Sequence, residues 1–366
     1  MQRGFLLFYT LLSLYVSGFA YATTEVPTPA VEEFAPHIAL LLPLKSTVFG
    51  PAAEAVQQGF LAAANFNMKG LPVRVYSSAD ESKDIIALYN KALTNGARAV
   101  VGPLTRSGVG TLAAEKNIHV PTLTLNSMED QPARPIYSFG MAAEAEARHV
   151  AQLAKQQDLH QAIVITTHTQ LSQRLQFAFE EEWNASGGTI LREIEFNDDP
   201  AVFSDIADIP DLMVFLAADA EKSRLIRPYL PNKLPIYATS QIFVSNDDTL
   251  TNYDLNGIRF VDMPWLLQPD HPAVMNYARA NPPLSADRER FYALGIDAFR
   301  LIQLILADKL DSALPLNGVS GNIQLRGHTF QRSAVPAVFQ QGHAQLSSAT
   351  AAPAVQIFPV PEAPKP

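Results

Sequence analysis

Ile38-Ala-Leu-Leu-Leu42, closed by Pro43 and followed by the helix-patterned residues 51–68, decides how this chain folds. Five apolar residues in a row, with no polar alternation, describe a strand covered on both faces. After the loop 44–50 comes Pro51, whose fixed φ suits the first position of a helix. That helix places Ala55, Val56, Gly59, Phe60 and Ala63 on one apolar stripe. The strand-then-helix unit repeats: strand 72–76, helix 81–94, strand 97–101, helix 105–116 and strand 120–125. The pattern restarts with strand 136–139, helix 143–157, strand 162–166 and helix 170–186, which Gly187-Gly188 stops. Strands follow at 189–196, 212–216, 236–238 and 258–260, with a helix at 221–229 among them. A long helix, 290–310, and a strand-like stretch, 321–339, read as the chain crossing back to complete both halves.

Apolar strands joined by amphipathic helices imply parallel sheets with right-handed connections. The expected class is α/β: two doubly wound lobes with a cleft and crossover segments. The boundaries expected are 37–135 plus 268–312 for the first lobe and 136–267 plus 313–345 for the second. Residues 1–22 read as a signal peptide, with Arg3, the apolar run 4–19 and a small-residue Ala20-Tyr21-Ala22 end. Residues 23–36 form a flexible Pro/Thr/Glu-rich leader, and 346–366 a disordered Ala/Pro-rich tail.

Composition removes several functions. The chain has 366 residues, 48% apolar and 17% charged, enough to bury a large core. Its 36 acidic against 27 basic residues give a net charge of −9, which argues against nucleic acid as a partner. With no cysteine there are no disulfides, thiolate metal sites, cysteine nucleophiles or lipid-modified cysteine. No cofactor or metal is implied: Gly102–Gly110 (GPLTRSGVG) lacks the phosphate-loop Gly-Lys-Ser/Thr, and no H-E-x-x-H is present. The pairs Asp198-Asp199 and Asp247-Asp248 read as turns, Glu180-Glu-Glu182 as a solvated helix face, and Met263-Pro-Trp-Leu-Leu267 as core packing.

Ile38–Leu44 together with Ala55–Ala63 resembles the opening of type I periplasmic binding protein folds. Val100-Val-Gly-Pro-Leu104, Arg227-Pro-Tyr-Leu230, Pro235-Ile-Tyr-Ala-Thr-Ser240 and Asp254-Leu-Asn-Gly-Ile-Arg-Phe-Val-Asp-Met-Pro-Trp-Leu-Leu267 narrow the likeness. With Tyr292-Ala-Leu-Gly-Ile-Asp-Ala-Phe299 and Gly318-Val-Ser-Gly-Asn-Ile323 they resemble, in order, the LppC-type penicillin-binding protein activators. The resemblance covers about 37–342. It implies a non-catalytic periplasmic regulator that binds a class A penicillin-binding protein and stimulates peptidoglycan cross-linking. The family's lipidated cysteine and N-terminal helical repeat domain have no counterpart here, so a lipid anchor is not implied.

Ligands of open α/β sheets bind beyond the carboxyl ends of strands, near helix N-termini. The candidates there are Ser46 after the first strand, Thr105, Arg106 and Ser107 after the third, and Asn126 after the fourth. In the second half they are His168, in a loop expected to face the cleft, and Ser240. Thr105 and Ser107 are equally explained as helix caps, and His168 as a surface histidine. A solute-binding protein for an amino acid or small peptide, feeding an ABC transporter, is the alternative. It would need an acidic group opposite the carboxylate site, and Asp219 is the best available. No nucleophile elbow or carboxylate pair favours an enzyme.

Overall fold

The computed structural model describes residues 35–67, 70–128 and 135–347; the signal segment, most of the leader and residues 348–366 lie outside them. The first lobe begins β1 (His37–Leu42), α1 (Gly50–Phe66), β2 (Val73–Ser77), α2 (Glu81–Thr94), β3 (Ala97–Val101), α3 (Arg106–Ala113), β4 (Thr122–Thr124) and β5 (Ile136–Phe139). The second lobe holds α4 (Ala143–Lys155), β6 (Gln161–Thr166), α5 (Gln170–Ala185), β7 (Thr189–Glu195), β8 (Leu212–Ala217), α6 (Ala220–Ile226), β9 (Ile236–Ala238), α7 (Thr249–Asn252) and β10 (Ile258–Asp262). The chain then returns to the first lobe through α8 (Pro264–Leu267), α9 (Ala286–Leu306), α10 (Leu310–Ala313), β11 (Leu316–Asn317), β12 (Asn322–Arg326) and β13 (Thr329–Ser333). It ends in the second lobe with β14 (Val335–Gln340) and β15 (His343–Leu346).

The first sheet runs β11-β12-β13-β5-β4-β3-β1-β2 and the second β15-β14-β10-β9-β8-β6-β7. The βα part of each is parallel, and the late strands add antiparallel hairpins at one edge. This α/β class with crossovers is the one expected from sequence, but the lobe boundaries differ. Strand β5, assigned from sequence to the second lobe, pairs in parallel with β4, Thr122 opposite Ile136 and Thr124 opposite Ser138. Strands β11 to β13, assigned with residues 313–345 to the second lobe, also belong to the first sheet, where β13 pairs with β5. The physical reason is that the free edge of β5 is filled by β13 before the chain crosses over, leaving only β14 and β15 for β10.

The first core lies between the sheet face carrying Ile38, Leu40, Leu42 and Val101 and the helices α1 and α9. The opposite face, with Ala39, Leu41 and Val100, packs on Ile85, Tyr89 and Ala92 of α2. Successive β1 residues therefore feed both cores, which is why Ile38–Leu42 carries no polar residue. Helices α1 and α9 cross at two glycines. A Cβ on Gly59 would lie 1.9 Å from the Tyr292 carbonyl oxygen, and one on Gly295 would lie 2.2 Å from that of Val56. Beside this contact Phe60 and Phe299 meet edge to face at 5.2 Å. In the second lobe, α4 and α5 cover one face, where Phe179 stacks on Phe215 and Trp183. Trp265 is fully buried in the first core, as the sequence indicated.

Candidate functional site: the interlobe cleft and its hinge

Between the lobes lies a cleft of about 400 Å³, lined from the first lobe by Phe49, Leu104, Thr105, Arg106, Leu125 and Asn126. Met141, Ala142, Glu144 and Arg174 line it on the second-lobe side, and Phe291 and Leu294 of α9 complete it. Of the residues singled out from sequence, the fold brings Thr105, Arg106 and Asn126 together here.

The loop geometry explains what these residues do. Thr105 is the N-cap of α3, its Oγ1 accepting from the Gly108 N–H at 3.1 Å. Ser107 is exposed, 3.4 Å from Thr105 Oγ1. The backbone N–H groups of Leu104 and Thr105, just before α3, donate to the carboxylate of Glu81 at 3.1 and 2.7 Å. Glu81 is the first residue of α2 and is buried. Burial pushes its carboxyl above the usual range, and the hydrogen bonds from Thr105 and Leu104 offset this only in part. The anion position at this helix start is thus occupied by a side chain of the protein itself. Asn126 is similarly engaged: its Nδ2 donates to the Leu104 carbonyl at 3.0 Å and its Oδ1 accepts from the Ser127 N–H at 2.9 Å.

Besides Arg106, charge in the cleft comes from Glu144 and Arg174, which the sequence reading passed over. Glu144, in the first turn of α4, accepts from Arg174 of α5 at 2.7 Å and lies 3.6 Å from Arg106 across the cleft. Burial alone would raise the Glu144 carboxyl. Its own N–H, Arg174 and Arg106 outweigh that and hold it below the usual carboxylate range. Its Oε2 is buried and carries no hydrogen bond. Both Arg106 and Arg174 are about half exposed, so the cross-cleft pair contributes little to stability.

The remaining candidates lie elsewhere. Ser46 accepts from the Phe49 N–H at 3.2 Å in the turn before α1. His168 is not part of the cleft lining: it is exposed and pairs with Glu195 at the end of β7. Asp219 is the N-cap of α6, accepting from Lys222 N at 2.9 Å. Ser240 is buried in the hinge. Its N–H donates to Glu146 at 3.1 Å, and its carbonyl accepts from Arg290 at 2.9 Å.

That hinge is a buried charge network. Arg290 of α9 donates to both oxygens of Asp262, at 3.1 and 2.7 Å, and to the Phe243 carbonyl at 2.9 Å. Asp262 has no exposed surface and also accepts from Met263 N. Burial favours its neutral form, while the guanidinium opposes this and is itself held charged. Glu146 pairs with Arg332 at 2.9 Å. The network touches every passage between the lobes: Glu146 follows the first, Asp262 and Arg290 flank the second, and Arg332 precedes the third. Among the described residues no group of three or more His, Asp or Glu is placed to hold a metal, and no helix is long and apolar enough to cross a membrane.

Two doubly wound lobes, three crossovers and a cleft at the strand ends define a protein of the periplasmic-binding-protein type. The chain belongs to the LppC family: the family described as "LppC putative lipoprotein" matches residues 32–213 and 204–342. Among curated relatives, penicillin-binding protein activator LpoA of Photobacterium profundum is 23% identical over 350 residues, covering 84% of this chain and 57% of its own length. This chain thus spans little more than half of that relative. Among solved structures, the C-domain of LpoA from Haemophilus influenzae, described as a regulator of PBP1A, superposes with TM-score 0.71 at 24% identity. The match covers 85% of this chain and 99% of that one. A putative branched-chain amino acid ABC transporter protein from Chromobacterium violaceum superposes with TM-score 0.72 at 35% identity, covering 83% of this chain and 100% of that one.

Proposed function

We propose that this chain is a non-catalytic periplasmic regulator of peptidoglycan synthesis that binds and stimulates a class A penicillin-binding protein. The family match running through both lobes carries this reading, and the self-occupied anion position at α3 supports it. A binding fold whose loop N–H groups are held by Glu81 has lost one customary anchor for a free carboxylate ligand. Residues 1–22 would export the chain. The test mixes residues 23–366 with the class A synthase of the same cell and its lipid-linked substrate, and follows peptide cross-linking. A rise on adding the chain is expected. An unchanged rate, with the synthase active alone, overturns the proposal.

Two observations favour solute binding as the second reading. Glu144 Oε2, buried and unpaired in the cleft, is the acidic acceptor that an amino-acid ammonium group requires, and the 35% identical Chromobacterium protein carries a transporter description. A rise in melting temperature with branched-chain amino acids, lost in Glu144→Gln, would establish it. No shift with any amino acid removes it.

A further inference from the structure

A second groove, of about 390 Å³, lies between α4 of the second lobe and β5, β12 and β13 of the first. It shares only Ala142 with the cleft described above. Arg148 and His149 face it from α4, and Arg326 and Arg332 from the β12–β13 hairpin; among the described residues Glu182 is the one carboxylate in its lining. Three guanidinium groups line it, two of them held by carboxylates outside the lining. Arg332 is neutralised by Glu146, and Arg148 uses its Nε and Nη2 on Glu181, leaving its Nη1 without a hydrogen-bond partner among the described residues. Arg326 is exposed and has no ion-pair partner among the described residues. His149 Nδ1 is buried with nothing bonded to it. Burial, helped by Arg332 and opposed by Glu146, keeps the ring toward its neutral form. A neutral imidazole carries one donor and one acceptor, and the His149 ring is part of the groove lining.

We propose that this groove binds a small ligand bearing an oxyanion, carboxylate or phosphate. Arg326 and the free Nη1 of Arg148 supply charge-assisted bonds, and His149 bonds the ligand body. The volume is that of a small-molecule site, and the other side chains in the lining are mainly hydroxyls and amides, which suit a hydroxylated rather than an apolar body. Because one wall belongs to each lobe, an occupant would also tie the lobes together at this edge.

The test titrates the full chain with inorganic phosphate and, separately, with D-glucuronate. Melting temperature and the His149 ring NMR signals are the readouts. At least one probe is expected to raise the melting temperature and move the His149 signals. Arg326→Gln, which breaks no hydrogen bond or ion pair among the described residues, is expected to leave the melting temperature of the free protein unchanged and to weaken binding about tenfold or more. A response to phosphate alone assigns a tetrahedral anion, one to glucuronate alone a carboxylate on a hydroxylated ring, and one to both the anion itself. No response to either probe overturns the proposal. So does a stabilisation that survives Arg326→Gln or leaves the His149 signals in place.

Discussion

Replacing Arg290 by methionine should cost this protein most of its stability. The substitution keeps an unbranched stem but removes the guanidinium, and leaves Asp262, with no exposed surface, as a buried carboxylate without its main counter-charge. Removing one partner of a buried pair costs about 3–5 kcal/mol. The carbonyls of Ser240 and Phe243 lose their guanidinium donor as well, each bond being 2.9 Å long, for about 1 kcal/mol apiece. The sum, about 5–7 kcal/mol, reaches the lower end of whole-domain stability at about 5–15 kcal/mol, so Arg290→Met is expected to populate unfolded chains without denaturant. Asp262→Asn is milder, because the amide keeps its shape and one acceptor while Asp287 still balances the guanidinium at 2.7 Å. Its expected cost is about 2–3 kcal/mol. The double variant Asp262→Leu/Arg290→Met removes both charges, yet the two carbonyls stay unbonded, so about 2 kcal/mol should remain lost. Urea unfolding followed by circular dichroism, with Trp265 fluorescence as a hinge reporter, measures all three. A shift under about 1 kcal/mol for Asp262→Asn, or a double variant as stable as the parent, would refute the assignment of the hinge to this network.

At the α1–α9 crossing, Gly59→Ala and Gly295→Ala each drive a methyl into a backbone carbonyl, and should lower stability by about 1–3 kcal/mol in thermal melts. At neutral pH Glu81→Gln should cost less than Glu81→Ala, because the amide oxygen can still accept from Leu104 and Thr105 while alanine leaves both buried N–H groups unbonded, for about 2 kcal/mol. The raised carboxyl of Glu81 means the folded state binds a proton more readily than the unfolded chain. Its contribution therefore falls as pH rises through the range above the ordinary value of 4.5, and Glu81→Gln should flatten that slope in urea midpoints taken between pH 4 and 7. His149 has the opposite sign. Its folded affinity for a proton is below the ordinary value of 6.5, so the unfolded chain binds the extra proton and stability drops as pH falls below about 6.5. His149→Gln should remove part of that drop, read from the same midpoints.

The βα framework was legible because its strands are covered on both faces. The runs Ile38–Leu42 and Leu212–Leu216 carry no polar interruption, and the range 81–94 read from sequence matches α2, which the structure shows capped by Asp80. Sheet membership was not legible for β5: four residues say that a strand exists but not which edge accepts it, and that choice was made by β13, nearly 200 residues later. The cleft loops were placed by the rule that ligands gather at strand ends. Their chemistry was hidden because the partner of the Thr105 N–H is Glu81, in a different βα unit. Glu144 and Arg174 were passed over because each is a single charge on its own helix, and only the approach of α4 to α5 makes them a pair. His168 failed for a simpler reason: β6 has β7 beside it, so the Glu195 side chain at the end of that neighbouring strand lies nearer than the cleft.

Both sheets are finished by one late stretch of chain. Residues 316–333 close the first and residues 335–346 close the second. During synthesis neither lobe can complete its hydrogen-bond ladder until the last strands have emerged, whatever the earlier βα units have done. The two halves consequently mature together rather than in succession, and a truncation that removes only β12 to β15 would leave two unfinished sheets, each with a bare edge open to pairing with other chains.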